Sequence, residues 1–309
     1  EEMFNKNYPF FTGSSEYMKR HFKSYANFTK KYLKTNSKII EIGSNDGTFL
    51  KNFLDTENKI LGVEPSKSVA DVAIKNNIPT LNDFFNTSNI KNLNDFLGNT
   101  DLICASNVIC HVPNLNNLIE SVDLLLSKDG TFIFEEPYLG SMFEKISYDQ
   151  IYDEHIFMFS ASSISKIFQK YNFHLIDAFP QVTHGGSMRY VVKRKKNETG
   201  KDLKKIFDYE KDKKLNRIDS CLNFKKNCEI SKQKILKKIK FFKEKGKSIC
   251  GYAATSKSTT ILNYCKIGTN YIDYICDTTK EKIGKFSPGM HIPIKDMNFF
   301  HNNMKDCVY

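Results

Sequence analysis

The sequence lacks the long apolar runs of a membrane protein. Although 40% of its 309 residues are hydrophobic, no segment approaches the roughly 18 to 20 uninterrupted apolar residues that a membrane-spanning helix needs. Residues 1–15 also lack the basic stretch followed by an apolar stretch that is typical of a secretion signal. We therefore expect a cytoplasmic protein with no membrane partner. A chain of this length is sufficient for two domains with cores of their own.

Paired cysteines are missing as well. The eight cysteines are scattered, with no C-x-x-C pair and no histidine at zinc-finger spacing; they are Cys104, Cys110, Cys221, Cys228, Cys250, Cys265, Cys276 and Cys307. This distribution favours reduced thiols in the cytoplasm and predicts no metal site.

The sequence also lacks an even distribution of basic residues, although its net charge is +11. Residues 191–247 contain 21 Lys and Arg against 8 Asp and Glu, a local net charge of +13, so the rest of the chain carries about −2. A nucleic-acid partner is one interpretation of this segment. We expect none, because the segment has no recognisable nucleic-acid motif and no aromatic residues interleaved with exposed glycines. A solvated helix surface is the interpretation that we favour.

Strands alternate with helices through the first half of the chain. Apolar spacing predicts a helix over residues 17–34, strands at 38–43, 59–64, 101–105 and 131–135, and helices at 48–54, 69–75 and 114–126. This alternation predicts an α/β protein with a doubly wound parallel sheet. Residues 136–190 read as an insertion followed by an antiparallel pair, 173–179 and 188–192.

The second half predicts a helical connection and a smaller domain. Residues 200–246 have helical spacing and no proline, which indicates one long helix or a helix pair, and a further β-α-β unit follows Gly246. The predicted organisation is an N-terminal segment and helix (1–35), a catalytic domain (36–195), a Lys-rich helical connection (196–246) and a Rossmann-like C-terminal domain (247–309).

The turn after the first strand carries the pattern of a nucleotide site. Residues 41–47 read Glu-Ile-Gly-Ser-Asn-Asp-Gly, so the spacing is G-x-x-x-G after an acid and not the G-x-G-x-x-G of dinucleotide sites. That pattern suits a ligand with an ammonium group. Glu64 ends the second strand, where a carboxylate can accept hydrogen bonds from both ribose hydroxyls. These points favour S-adenosylmethionine over NAD as cofactor.

Further residues extend this predicted cofactor site. Asp83 and Phe84 are placed to flank the adenine, with ordinary loop and core packing as the open alternative, and Asn107 with Val108 to close the methionine side. The predicted cofactor-binding residues are Glu41, Gly43, Asn45, Asp46, Gly47, Glu64, Pro65, Asp83, Phe84, Asn107 and Val108.

Several motifs resemble one known family. They are Glu-Ile-Gly-Ser-Asn-Asp-Gly (41–47), Ser-Asn-Val (106–108) with His-Val-Pro (111–113), Tyr-Asp-Gln-Ile-Tyr-Asp-Glu-His (148–155), Thr-His-Gly-Gly-Ser-Met-Arg (183–189), and Gly-Tyr-Ala-Ala-Thr-Ser-Lys (251–257), continued by 262–264 and 288–293. Together they are similar to the S-adenosylmethionine-dependent sugar C-methyltransferases of deoxysugar biosynthesis.

The resemblance implies methylation of the ring carbon next to the ketone of a nucleotide-linked keto-sugar. It implies a class I methyltransferase fold and a Rossmann-like C-terminal domain that helps to hold the nucleotide and that continues beyond Tyr309 in relatives. It also implies that Tyr152, Glu154 and His155 are catalytic, with Tyr8 as a further tyrosine.

These residues suit an enolate mechanism. A C–H beside a ketone needs a base within hydrogen-bond reach and a donor for the developing enolate oxygen. His155 is the predicted base, since the imidazole pKa of about 6.5 suits proton abstraction near neutrality. We expect Glu154 to orient the ring or stabilise the imidazolium, and Tyr152 and Tyr8 to donate to the enolate or hold the sugar.

Four residues are predicted to bind substrate. His184, Gly185 and Arg189 surround a glycine turn that lets a ligand approach, although a plain hairpin turn remains an alternative. Lys257 follows a small-residue turn at a helix start, which suits a diphosphate, with a solvated lysine as the alternative.

Other functions stay open at this point. The same cofactor site would serve an O- or N-methyltransferase acting on a sugar or other small metabolite. An RNA methyltransferase and a catalytically silent cofactor-binding scaffold are further alternatives. The sequence carries no signal for an oligomeric state.

Overall fold

The computed structural model describes Phe4, Tyr8 and residues 10–195 and 200–309, apart from the side chain of Lys201. Its contacts divide the chain into two compact units. The N-terminal unit comprises the residues up to Leu139 together with Ile156–Lys213, and the C-terminal unit comprises Gly140–His155 with Lys214–Tyr309. Residues 140–155, which the sequence groups with the catalytic domain, therefore pack in the C-terminal unit. The assignment of functional domains stays a prediction.

The helices and strands follow the predicted alternation. The helices are α1 Glu16–Thr29, α2 Lys67–Lys75, α3 Thr87–Ile90, α4 Leu115–Leu125, α5 Leu139–Lys145, α6 Ala161–Gln169, α7 Lys201–Asp212, α8 Ile218–Glu244, α9 Ser256–Cys265 and α10 Met297–Asn302. The strands are β1 Lys38–Ile42, β2 Lys59–Val63, β3 Thr80–Leu81, β4 Thr100–Ser106, β5 Leu126–Pro137, β6 His174–Gln181, β7 Ser187–Lys193, β8 Ile249–Tyr252, β9 Ile275–Cys276, β10 Ile294–Lys295 and β11 Cys307–Val308.

The N-terminal unit contains a seven-stranded sheet in the order β3-β2-β1-β4-β5-β7-β6. β1 to β5 are parallel, and β7 runs antiparallel to both β5 and β6. The predictions of a doubly wound sheet and of an antiparallel pair are confirmed, and the structure places that pair at one edge of the sheet. Because β1, β2, β4 and β5 are parallel, the loops that follow them meet at one carboxyl edge, where α/β proteins bind ligands.

Apolar side chains cover both faces of this sheet. One face packs against α4 and α6 through residues such as Ile119, Val122 and Phe168. The other face packs against α1 through Phe22 and Tyr25, which confirms the helical spacing read from residues 17–34. Two buried layers thus make the carboxyl edge a rigid support for loops.

Two local predictions are wrong. The helix predicted over residues 48–54 is reduced to a short 3-10 turn at Leu50–Phe53. The sequence analysis also missed β3, which has only two residues and therefore shows no alternation of apolar positions.

The C-terminal unit contains a parallel four-stranded sheet in the order β10-β9-β8-β11. Its core is apolar, with Ile249, Leu262, Ile272 and Ile275 among the buried residues. The sequence predicts the helix of this unit at residues 259–265, and α9 begins three residues earlier, where Thr255 and Ser258 form a capping box. Of the two forms that the sequence leaves open for the helical connection, one long helix or a helix pair, the structure has the pair, α7 and α8.

None of the helices in the part of the chain described above is both long enough and apolar enough to cross a bilayer.

Candidate active site

The loop after β1 needs glycine at two positions. Gly43 has φ +64° and Gly47 has φ +79°, backbone conformations that side chains rarely adopt. A Cβ on Gly43 would overlap the Val108 side chain, and a Cβ on Gly47 would overlap Ile78. The two glycines therefore leave the backbone after β1 without side chains, and the loop after β4 packs closely against it.

Glu64 holds this loop from the end of β2. Its carboxylate accepts the backbone N–H of Asn45 at 2.9 Å and that of Ser66 at 2.8 Å. The side chain is buried, and burial raises the pKa of Glu64, while the two backbone hydrogen bonds act in the opposite direction. The predicted hydrogen bonds from Glu64 to ribose stay a prediction.

Glu41 is a buried acid beside the same loop. Its Oε2 has no hydrogen-bond partner among the described residues. Burial raises the pKa of Glu41 well above its usual value, and the nearby charges of Asp46 and Glu64 raise it further. An unpartnered carboxyl among acids fits a cationic ligand such as a sulfonium amino acid, because opposite charge relieves the cost of burial.

Asn45 and Asp46 bind the segment that precedes α1. Asn45 Oδ1 accepts the N–H of Thr12 at 2.9 Å, and Asp46 Oδ2 accepts that of Gly13 at 2.7 Å. Asn45 also donates to the carbonyl of Phe10 at 3.0 Å. These side chains therefore tie residues 10–13 to the glycine loop, and their contact with a cofactor stays a prediction.

The predicted adenine-side residues follow β2 and β3. Asp83 is half-buried and accepts the N–H of Phe84 at 2.7 Å. Asn82 donates to the carbonyls of Glu64 and Pro65 at 2.8 and 3.1 Å, which joins the two loops. Asp83, Phe84 and Pro65 thus lie along the same sheet edge as the glycine loop.

The loop after β4 contains a strained asparagine. Asn107 has φ +54°, donates its N–H to the carbonyl of Glu135 at 2.8 Å, and has no partner for Oδ1 among the described residues. Glu136, which the sequence analysis missed, accepts the N–H groups of Val108 at 3.0 Å and Ile109 at 2.7 Å. The signal that could have found it is a charged residue at the end of an otherwise apolar strand.

Arg189 lies inside the unit, paired with an acid. Its guanidinium is 2.5 Å from Glu135 and stacks over the ring of Tyr25, and the side chain is 5% exposed. His21 binds the other oxygen of Glu135 at 2.6 Å. In the structure the Arg189 guanidinium is therefore paired with Glu135 inside the unit. Its contact with substrate stays a prediction.

The glycine turn between β6 and β7 lies at the carboxyl edge of β5. His184 has φ +52° and Gly185 has φ +81°, and Tyr138, just after β5, donates its N–H to Gly186 at 3.1 Å. The structure thus brings His184 and Gly185 to the same edge as Asn107. Tyr8 belongs to this unit too, where its carbonyl accepts the hydroxyl of Ser68 at 3.1 Å.

Tyr152 and His155 form a hydrogen-bonded pair in the C-terminal unit. Tyr152 Oη is 2.9 Å from His155 Nε2, and His155 Nδ1 is 2.8 Å from the carbonyl of Gln150. A carbonyl can only accept, so Nδ1 carries the proton and Nε2 of the neutral ring accepts from the tyrosine. The sequence prediction gave the orienting role to Glu154, whereas here the Gln150 carbonyl orients the ring.

Glu154 and Lys257 both lie at the start of α9. Ser256 donates to Glu154 at 3.3 Å, and Thr255 caps the helix. Burial lowers the pKa of Lys257, and the charge of Asp149 opposes that shift. The structure therefore brings three of the predicted residues, Glu154, His155 and Lys257, into one unit with the N-terminus of a ten-residue helix.

Family models match almost the whole chain. A methyltransferase domain matches residues 15–178, and a C-methyltransferase C-terminal domain matches residues 182–309. The C-methyltransferase NovU of Streptomyces niveus is 26% identical over 258 residues, which are 83% of this chain and 61% of that protein. The chain thus spans less than two thirds of this relative's length.

Solved structures resemble the chain in part. An S-adenosylmethionine-dependent methyltransferase from Clostridium acetobutylicum has a TM-score of 0.46 and 13% identity, covering 59% of this chain and 93% of its own. A possible histamine N-methyltransferase from Thermotoga maritima has a TM-score of 0.44 and 18% identity, covering 57% and 91%.

The resemblance to C-methyltransferases and the class I methyltransferase fold are both confirmed by the family matches and the sheet order. The glycine loop, the unpartnered carboxyl of Glu41 and the unpartnered Oδ1 of Asn107 fit the cofactor of that fold. The chain belongs to the methyltransferase family, whose cofactor is S-adenosylmethionine, and its residues 182–309 match a C-methyltransferase C-terminal domain.

Proposed function

We propose that the protein is an S-adenosylmethionine-dependent C-methyltransferase that methylates the carbon next to the ketone of a nucleotide-linked 4-keto-deoxysugar. The proposal rests on the motifs of the sequence, on the match to the C-methyltransferase C-terminal domain, and on one geometric observation. That observation is the orientation of His155, whose Nε2 is unprotonated in the neutral ring and faces a phenol.

This orientation supports a role for His155 as the base. With its proton held on Nδ1 by the Gln150 carbonyl, the ring presents the Nε2 lone pair for proton abstraction. The imidazolium that then forms keeps its hydrogen bond to the carbonyl. Glu154, one residue away, adds a negative charge that stabilises this cation.

Tyr152 supplies the matching donor. Its hydroxyl binds Nε2 in the structure, and in the proposed reaction it turns to the ketone oxygen as His155 takes the proton from carbon. A phenol donor stabilises the developing enolate oxygen, and Tyr8 is proposed as a second donor or as a contact to the sugar. When bound, S-adenosylmethionine supplies the electrophilic methyl group that the nucleophilic carbon attacks.

The other predicted residues are proposed to hold the two ligands. Glu41, Gly43, Glu64, Asn107 and Val108 hold the cofactor, together with Asn45, Asp46, Gly47, Pro65, Asp83 and Phe84. Lys257 at the start of α9 is proposed to bind the diphosphate, and His184 with Gly185 the sugar.

Deuterium exchange tests the base. In D₂O with S-adenosylhomocysteine, the protein should exchange the C–H beside the ketone of a nucleotide-linked 4-keto-6-deoxyhexose, observed by NMR. The His155→Gln variant should lose this exchange by a factor of roughly 10² to 10⁴, the usual contribution of a positioned base. His301→Gln, which alters an exposed histidine of α10, is the matched control and should exchange at the normal rate.

The product distinguishes this proposal from its alternatives. With S-adenosylmethionine present, the new methyl signal should couple to ring carbons as a C-methyl group. Full exchange by His155→Gln would remove His155 as the base. An O-methyl or N-methyl product would replace the proposed reaction with transfer to a heteroatom, and no transfer to any keto-sugar would contradict the proposal.

A further inference from the structure

We propose that Glu136 is a positioning residue of the cofactor site, which holds the loop after β4 so that Asn107 and Val108 meet the methionine side of S-adenosylmethionine. This inference deepens the proposed function, and it rests on that function only in placing the methionine side of the cofactor at this loop. It concerns a residue for which the sequence motifs suggest no role.

Glu136 is a buried carboxyl with converging backbone donors. It is fully buried near the end of β5 and accepts the N–H groups of Val108, Ile109 and Cys110 at 3.0, 2.7 and 3.3 Å. Hydrogen bonds from buried N–H groups are costly to break, because an unpaired donor in the interior loses its partner without gaining water. Three of them on successive residues fix the path of the loop immediately after Asn107.

The loop that Glu136 holds contains an unused acceptor. Asn107 has φ +54°, a left-handed conformation that costs free energy and persists when the surrounding structure imposes it. Its Oδ1 is buried and has no partner among the described residues. A carboxamide oxygen held in this way fits a ligand donor such as the ammonium group of a methionine moiety.

The same loop is interlocked with the glycine turn. Val108 packs so closely on Gly43 that even a Cβ there would overlap it. A shift of the backbone at Val108 therefore moves both the Asn107 acceptor and the wall of the glycine turn. Glu136 binds this loop through three backbone N–H groups, so we expect its effect on a ligand to pass through the loop.

Cofactor binding by calorimetry tests the proposal. Glu136→Gln replaces two acceptor oxygens with one oxygen and one NH₂ that faces the backbone donors, so the loop loses hydrogen bonds without losing side-chain volume. We expect the Kd for S-adenosylmethionine to rise about tenfold. Glu210→Gln is the matched control, because Glu210 is also buried and accepts the N–H groups of Ala161 and Ser162 in the same unit.

Glu210→Gln should lower the melting temperature and leave the Kd unchanged. Equal changes of Kd in the two variants, or a change below twofold in Glu136→Gln, would overturn the proposal. If Glu136→Gln does not fold, Glu136→Asp takes its place, because its side chain is one methylene shorter and its carboxylate falls short of the loop. Glu136→Asp should raise the Kd about threefold, and an unchanged Kd would overturn the proposal.

A double-mutant cycle tests the route of the effect. Asn107→Ala should weaken cofactor binding. Glu136→Gln should then raise the Kd much less in the Asn107→Ala background than in the wild type, because both substitutions remove the same interaction with the cofactor. Additive effects would contradict positioning through Asn107. All these measurements use the cofactor alone, so a failure to methylate any keto-sugar would overturn the proposed function and leave this inference standing.

Discussion

Glu135 and Glu136 follow one another on β5, and their carboxylates bind partners on opposite faces of the sheet. Glu135 binds Arg189 and His21 on the α1 side, and Glu136 binds the loop after β4 on the other side. Alternation along a strand sends neighbouring side chains to opposite faces. One dipeptide thus anchors α1 with one acid and the loop after β4 with the other.

Arg189→Met should destabilise the protein strongly. The substitution breaks the buried ion pair and leaves His21 as the remaining partner of the Glu135 carboxylate, and breaking a buried ion pair typically costs about 3 to 5 kcal/mol. Urea unfolding followed by circular dichroism measures this loss. The double variant Glu135→Gln with Arg189→Met should recover part of it, because no unpaired charge remains. Normal stability of Arg189→Met together with a raised KM for the sugar would instead support the substrate contact suggested by the sequence.

Gly43→Ala should weaken cofactor binding as well as stability. An alanine at φ +64° is strained, by about 1 to 2 kcal/mol, and its Cβ would also overlap Val108. The matched control is Gly98→Ala, since Gly98 has the same φ of +64° but open space where its Cβ would lie. Gly98→Ala should lower the free energy of unfolding only by the strain of its backbone conformation. It should bind S-adenosylmethionine normally in a calorimetric titration. A normal Kd for Gly43→Ala would contradict the close approach at this turn.

The stability of the N-terminal unit should depend on pH through Glu136. Burial raises the pKa of Glu136 to about 7, against the opposing hydrogen bonds of the Cys110 side chain and the loop N–H groups, and the buried phenol of Tyr190 lies nearby. Between about pH 4.5 and 7 the folded state then holds a proton that the unfolded state has released. The free energy of unfolding should therefore fall as the pH rises, by up to roughly 1.4 kcal/mol per pH unit.

Denaturant titrations at several pH values measure this dependence. In Glu136→Gln no proton is bound at this position in either state, so the slope between pH 5 and 7 should be smaller by that amount. Identical slopes in the variant and the wild type would assign the dependence to other groups.

The sequence predicted those parts of the fold and site that follow from local pattern. The spacing of Phe22 and Tyr25 predicted the helix α1. The two glycines, together with Glu41 and Glu64, predicted the turn after β1. Contacts between distant segments left no such signal. Glu136 binds residues 108–110 from 26 to 28 positions away, and the pairing of Arg189 with Glu135 depends on the register of β5 against β7. A motif shows which residues are near one another in sequence, but not which partner a buried charge selects.

Lys257→Met should weaken the binding of the nucleotide-sugar more than it slows the reaction. Lys257 is the second residue of α9, where its charge adds to the exposed N–H groups of the helix start. Loss of a charge-assisted hydrogen bond to diphosphate costs about 1.5 to 3 kcal/mol, so KM should rise roughly tenfold to a hundredfold with a small change in kcat. Lys266→Met, at the exposed C-terminal end of the same helix, is the control and should leave KM unchanged.

The pH dependence of KM gives an independent test of Lys257. Because burial lowers the pKa of this amine, it loses its proton at a lower pH than an ordinary lysine, and only the protonated form attracts an anion. The KM of the wild type should therefore rise with pH before exposed lysines titrate, and in Lys257→Met that rise should disappear. A profile that is the same in both proteins would place the diphosphate elsewhere, because a solvated lysine at this position would change neither the KM nor its dependence on pH.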